Sequence, residues 1–234
     1  MSAIRLVLLP GTGSDEVFIR AAFGPAAQEV GADLRTPAPV PGPGLAESCR
    51  AALDAAAQEG PVVVGGVSLG AHLGAEWAVR NPDRCAGLLA VLPGWLGEPE
   101  EAPAALAARA SADSVRGLGL DRALELATEG VPDWLAGQLR RAWPRYGGAL
   151  EDSLRAAATE PAPVAAELAG ITAPAVVVGC TDDPVHPIGI AREWAGAIPD
   201  ARLRTVSLAE IGADLGVLGK AALGEAEFGE AAPG

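Results

Sequence analysis

The sequence predicts a doubly wound α/β domain built on a mostly parallel sheet of about six strands. Short apolar runs rich in Val, Leu and Ile alternate along the chain with alanine-rich stretches of helical spacing. The runs are apolar on both faces, as strands are when helices cover both sides of a parallel sheet. With 234 residues, the chain is long enough to bury one sizeable core.

The alternation assigns the elements in order. The predicted strands are 4–9, 32–36, 61–67, 86–92, 175–179 and 203–208. The predicted helices are 16–30, 45–59, 69–80, 186–197 and 214–223. Right-handed helical crossovers between parallel strands account for this order.

A long segment without strand signals interrupts the alternation. Its helical signals fall at 104–110, 122–128 and 134–143. We therefore predict a core formed by residues 1–94 and 171–234, and a helical cap or lid formed by residues 95–170. Three of the five tryptophans lie in this cap, where they either pack it onto the core, the favoured interpretation, or line an apolar pocket: Trp95, Trp134 and Trp143.

Charge and composition limit the partners. The formal net charge of −13 argues against nucleic acid and against an anionic membrane surface. No apolar stretch reaches the roughly 18 to 20 residues that span a bilayer.

The three cysteines are odd in number and sit in or beside apolar segments, so we expect free thiols and a cytoplasmic protein. No metal-ligand or dinucleotide pattern is present, no cofactor is expected, and a homodimer is left open.

The strongest chemical signal is Gly66-x-Ser68-x-Gly70, which lies between a predicted strand and a predicted helix. The turn presents the serine in a strained conformation at the carboxyl end of a central strand, and the glycines let strand and helix pass closely. The hydroxyl then stands at the positive end of the following helix, where the Leu69 N–H can meet a developing oxyanion. Ser68 is the predicted nucleophile.

With this turn, the chain resembles the α/β-hydrolase superfamily over nearly its whole length. Residues 8–15, Leu-Leu-Pro-Gly-Thr-Gly-Ser-Asp, look like the family's loop after an early strand. The resemblance implies that the Thr12 N–H is the second oxyanion donor. The chain carries Pro10 where many members have histidine, a departure that affects loop packing more than the oxyanion hole.

Residues 176–187 are similar to the family's acid loop, which follows a strand and supplies an aspartate. The resemblance implies that this carboxylate orients and stabilises an imidazolium. Counting three residues from Gly179 selects Asp182, whereas the Asp-Pro pair selects Asp183. We favour Asp182 and expect the other aspartate to form an Asx turn or cap a helix.

The family places its general base after the last strand, and here that position is Ala213. The chain has two histidines, His72 and His186. His72 lies one helical turn beyond Ser68 and is directed away from the hydroxyl, which indicates a structural role. His186 follows the acid loop at the same rim of the sheet; the favoured interpretation is a rim or packing residue, and the alternative is a substitute base that reaches Ser68.

The resemblance implies a serine hydrolase or acyl-transfer enzyme that acts on an ester or thioester of a small, largely apolar acyl group. The absent late histidine leaves three explanations: a variant that lost its base, use of His186, or a pocket retained for another task. Two rival functions stay open. One is a non-hydrolytic binding or scaffold protein, and the other is a lyase, cyclase or isomerase in which Ser68 only donates a hydrogen bond.

Overall fold

The computed structural model describes residues 4–224, and its centre is one six-stranded sheet. The strands are β1 Arg5–Leu9, β2 Asp33–Arg35, β3 Val62–Val67, β4 Cys85–Val91, β5 Ala175–Cys180 and β6 Ala201–Val206. All neighbouring strands pair in parallel, in the order β2-β1-β3-β4-β5-β6. The predicted doubly wound fold and its six strands are confirmed.

Eleven α-helices are assigned within the described range. They are α1 Glu16–Glu29, α2 Leu45–Ala57, α3 Leu69–Arg80, α4 Pro103–Leu118, α5 Leu120–Ala127, α6 Asp133–Tyr146, α7 Leu150–Thr159, α8 Ala165–Leu168, α9 Ile188–Ala197, α10 Leu208–Ala213 and α11 Gly216–Leu223. None of them, within residues 4–224, combines the length and the hydrophobicity that crossing a lipid bilayer requires.

Alternating strand side chains build a separate core on each face of the sheet. Leu6 and Leu8 of β1 pack with apolar residues of α1 and α11, whereas Val7 and Leu9 pack with those of α2, α3 and α9. Every residue of β3 and β5 is buried, as expected for strands covered on both faces. The chain runs from β1 outward to β2 and then from β3 outward to β6, so the order reverses between β1 and β3, where such folds bind ligands.

All the regular secondary structure between β4 and β5 is helical. The predicted stretches 104–110 and 134–143 fall within α4 and α6, and 122–128 extends one residue beyond α5, while α7 and α8 had not been predicted. The segment has a small apolar core of its own, formed by Ala112, Ala123, Trp143, Tyr146, Leu150 and Leu154. The division into core and cap, and the role of the cap as a lid, stay predictions.

The chain after β6 differs from the prediction. The strand ends at Val206 and α10 begins at Leu208, because Ser207 starts a helix there. The Ser207 hydroxyl accepts from the Glu210 N–H at 3.2 Å, and the Glu210 carboxylate accepts from the Ser207 N–H at 2.7 Å. This reciprocal capping box converts the expected loop into a short helix.

Candidate active site

Ser68 lies in the sharp turn between β3 and α3. Its backbone has φ 54° and ψ −114°, a conformation that costs a non-glycine residue strain. The Ser68 N–H donates to Val91 O at 2.9 Å, which ties the turn to the end of β4. A Cβ atom at Gly66 or Gly70 would lie 2.2 or 2.3 Å from the carbonyl oxygen of Leu9. The two glycines therefore let the turn approach the end of β1.

The side chain that meets the Ser68 hydroxyl is His186. Its Nε2 atom lies 3.0 Å from Ser68 Oγ, and its Nδ1 atom lies 2.9 Å from Asp183 Oδ2. An ionised carboxylate only accepts hydrogen bonds, so Nδ1 carries the proton in this arrangement and Nε2 is free to accept from the serine. The structure thus brings together two residues that are 118 positions apart in the chain.

Asp183 holds His186 from within a tight turn. Its Oδ1 atom accepts from the Val185 N–H at 2.7 Å while Oδ2 contacts the imidazole. Burial acts to raise the pKa of Asp183, but the hydrogen bond and charge of His186 and the Val185 N–H outweigh it and hold the pKa below its usual value. The carboxylate is therefore charged beside the imidazole at neutral pH.

Asp182, the favoured candidate in the sequence, points elsewhere. Its Oδ1 atom accepts from the Leu208 N–H at 2.8 Å and from the Cys180 thiol at 3.2 Å, and both interactions lower its pKa. β5 also runs one residue further than predicted, with Cys180 paired to Val206. Counting three residues from Cys180 instead of Gly179 selects Asp183.

Ala213, where the resemblance placed a histidine, is the last residue of α10 and is exposed. The neighbouring Gly212 lies against the indole of Trp134, since a Cβ there would be 3.3 Å from Trp134 Cδ1. The chain after β6 is thus coiled into a short helix, and Ala213 lies at its exposed end.

Two backbone N–H groups belong to segments that adjoin Ser68. Leu69 is the first residue of α3, so its N–H has no acceptor within the helix. Thr12 belongs to the loop after β1, and the adjacent Gly11 packs on the turn, where a Cβ would lie 3.4 Å from Ser68 Cβ. Their use as oxyanion donors stays a prediction.

His72 lies one helical turn beyond Ser68 and is fully buried. Its Nε2 atom accepts from the Gly94 N–H at 2.9 Å, and its ring packs on Trp95 and Trp194 with centroid distances of 4.4 and 5.7 Å. Burial, with a smaller effect from His186, lowers the pKa of His72 to about 3. A neutral imidazole here fixes the chain that follows β4.

Side chains of α6 contact the loop holding Thr12, and apart from Trp143 the sequence had not singled them out. They are Gln138, Arg141, Trp143, Arg145 and Tyr146. The one available signal was the helical spacing of Gln138, Arg141 and Arg145. A cleft of about 380 Å³ lies apart from these contacts, and it is lined by Asp121, Leu124, Glu125, Thr128, Glu129 and Arg140.

Comparisons with known proteins agree with this architecture. A profile described as Alpha/beta hydrolase family matches residues 5–214. An enol-lactonase from Burkholderia xenovorans LB400 is 19% identical, with a TM-score of 0.68 and coverage of 88% of this chain and 84% of that chain. MenH from S. aureus is 15% identical, with a TM-score of 0.67 and coverage of 88% and 86%.

A structure from a study of carboxylesterases of the thaumarchaeon Nitrososphaera gargenis is 14% identical, with a TM-score of 0.69 and coverage of 88% and 82%. At such identities the likeness shows the fold. No curated protein matches the chain.

Proposed function

Since this chain belongs to the alpha/beta hydrolase family, we propose that it is a serine hydrolase that cleaves esters or thioesters of small, largely apolar acyl groups. Ser68 is the nucleophile, His186 the general base and Asp183 the carboxylate that orients it. The observation that carries the proposal is the continuous contact from Ser68 Oγ through both ring nitrogens of His186 to Asp183 Oδ2.

The chemistry follows from this chain of contacts. Ser68 Oγ attacks the substrate carbonyl carbon while its proton passes to His186 Nε2, and the Asp183 carboxylate stabilises the imidazolium that forms. The Leu69 and Thr12 N–H groups donate to the oxygen as it gains negative charge. When the tetrahedral intermediate collapses, Nε2 returns the proton to the leaving alcohol or thiol. Water, activated by the same nitrogen, then hydrolyses the acyl-enzyme.

The position of the base is unusual but chemically sufficient. What nucleophilic catalysis needs is a base within hydrogen-bond reach of the hydroxyl and a group that fixes its tautomer. His186 meets the first condition and its contact with Asp183 meets the second. Of the three explanations for the absent late histidine, these contacts support the use of His186 as the base. Ala213 then has no catalytic role.

The apolar substrate class is supported by the chain at the end of β4. The Ser68 N–H is bonded to Val91 O, and the residues that follow, including Leu92 and Trp95, are buried and apolar. Two of the similar structures concern ester-cleaving enzymes, an enol-lactonase and carboxylesterases, which supports an ester as the bond that is cleaved. An uncharged acyl group fits a protein whose formal net charge is −13 better than an anionic one.

A fluorophosphonate probe tests the proposal. Folded wild-type protein should be labelled at Ser68, as located by peptide mass spectrometry, and should hydrolyse p-nitrophenyl acetate or butyrate. Ser68→Ala should abolish both. The matched control is Ser114→Ala, because that hydroxyl donates to Ala110 O within α4. Absence of labelling in folded wild-type protein would reject the proposal and favour a binding or non-hydrolytic role.

A further inference from the structure

Side chains of α6 form hydrogen bonds to the loop that carries Thr12. The Gln138 amide donates to the Ser14 hydroxyl at 2.6 Å, and the Tyr146 hydroxyl donates to the Ser14 carbonyl at 2.7 Å. Arg141 and Arg145 lie between these two residues in sequence. The spacings of three and four residues place Gln138, Arg141 and Arg145 on one side of the helix, and Tyr146 follows Arg145 directly.

The two arginines meet the carboxylate of Asp15, which begins α1. Asp15 accepts from the Phe18 N–H at 2.9 Å and from Arg141 through two bonds, at 3.0 Å from Nε and 2.9 Å from Nη2. Arg145 adds a third cationic contact at 3.2 Å. Asp15 is 1% exposed. Burial acts to raise its pKa, but the hydrogen bonds of Arg141 and Phe18 and the charges of both arginines lower it.

The loop held in this way also packs on the nucleophile. The Ser14 N–H donates to Gly11 O at 3.1 Å and closes a turn with Thr12 and Gly13 at its centre. Gly11 lies against Ser68 on one side of this turn. On the other side, a Cβ at Gly13 would lie 2.9 Å from Nε1 of the Trp143 indole, so α6 covers the turn directly.

We propose that Arg141 is a positioning residue for the oxyanion donor at Thr12: through its two-bonded contact with Asp15, it fixes the turn between the nucleophile and α6. The inference rests on the proposed function. The proposed function gives α6 no part in the reaction, whereas this inference does. Gln138 supports the same turn through Ser14.

Arg141 is suited to this task because its guanidinium group is planar and presents two N–H donors side by side. Two parallel N–H···O bonds fix orientation as well as distance, which a lysine ammonium cannot do. A donor displaced by about 1 Å from the developing oxyanion can cost on the order of a hundredfold in rate, while the ground-state substrate loses little. The predicted signature is thus a loss in kcat and in transition-state affinity without a matching change in KM.

The experiment compares Arg141→Met with Arg140→Met, a matched control on the same helix whose guanidinium donates to Thr128 Oγ1 at 3.2 Å. For each variant, melting temperature, kcat and KM are measured with p-nitrophenyl butyrate. Affinities are measured for an alkyl trifluoromethyl ketone, which forms a hemiketal oxyanion with the serine, and for the corresponding alcohol, which does not.

For Arg141→Met we expect a loss in kcat of roughly 10- to 100-fold with KM within about threefold of wild type. Affinity for the trifluoromethyl ketone should fall in parallel, and affinity for the alcohol should not. Arg140→Met should match wild type. If Arg141→Met does not fold, Arg141→Lys replaces it and should show the same pattern, because it keeps the charge but loses the paired N–H donors.

Two outcomes overturn the inference. One is a folded Arg141 variant whose kcat and ketone affinity equal those of Arg140→Met. The other is an equal loss of ketone and alcohol affinity, which indicates a general disturbance of the site. Failure of the proposed function looks different, since wild-type protein would then show neither hemiketal formation nor turnover.

Discussion

The Nδ1 atom of His186 lies 2.9 Å from Oδ2 of Asp183, although the two residues are three positions apart in one loop. Asp182, the neighbour of Asp183, points instead at the Leu208 N–H. Two adjacent carboxylates thus have separate tasks, one beside the imidazole and one between the acid loop and α10.

Asp183→Asn should reduce kcat by on the order of 1,000- to 10,000-fold, because an amide at this position no longer fixes the Nδ1–H tautomer of His186. Asp182→Asn is the matched comparison; it should keep kcat within about tenfold of wild type and lower the melting temperature. Steady-state hydrolysis of p-nitrophenyl butyrate and thermal melts check both. A larger loss in kcat for Asp182→Asn would reverse the assignment of the two carboxylates.

His186→Ala should lower kcat by on the order of 10⁴- to 10⁶-fold, since it removes the atom that accepts the Ser68 proton. Adding Ala213→His to this variant should restore no turnover. Position 213 is exposed at the end of α10, so an imidazole there points into solvent. The rate of fluorophosphonate labelling at Ser68 gives a second readout. Rescue by the double variant would show that the late position still serves the site.

His72 should make the protein less stable in mild acid. Its pKa falls from 6.5 to about 3 on folding because the site is buried. Between these values the unfolded chain binds a proton that the folded protein does not, so the free energy of unfolding decreases as the pH falls through this window. The slope is up to roughly 1.4 kcal/mol per pH unit.

His72→Gln removes this titration while its side-chain oxygen can still accept from the Gly94 N–H. Urea unfolding from about pH 7 to about pH 5 should show that wild type loses roughly 2 kcal/mol more than the variant. Equal losses would mean that His72 is protonated in the folded protein.

Gly70→Ala should lower the free energy of unfolding by about 1 to 3 kcal/mol, since the added methyl group would lie 2.3 Å from the Leu9 carbonyl oxygen. Gly137→Ala on α6 is the control. It has no heavy atom within 4 Å of the added Cβ, and it should raise stability by up to about 1 kcal/mol. Urea denaturation measures both. Equal stabilities would remove the argument that close packing of the turn requires glycine.

The sequence by itself determined the alternation of strands and helices and the turn at Ser68, because each rests on residues that are neighbours in the chain. The apolar run of β3, the two glycines and the start of α3 lie within a few positions of each other. It also limited the acid to two adjacent candidates and the base to two histidines.

Only the tertiary structure decided which of these residues contact each other. Asp183, and not Asp182, faces the imidazole, and β5 pairs with β6 as far as Cys180, a register that no local pattern specifies. His186 reaches Ser68 across 118 positions of sequence, and Arg141 reaches Asp15 across 126. Such contacts depend on how the sheet brings the carboxyl ends of β1, β3 and β5 to one edge and on how α6 packs over it.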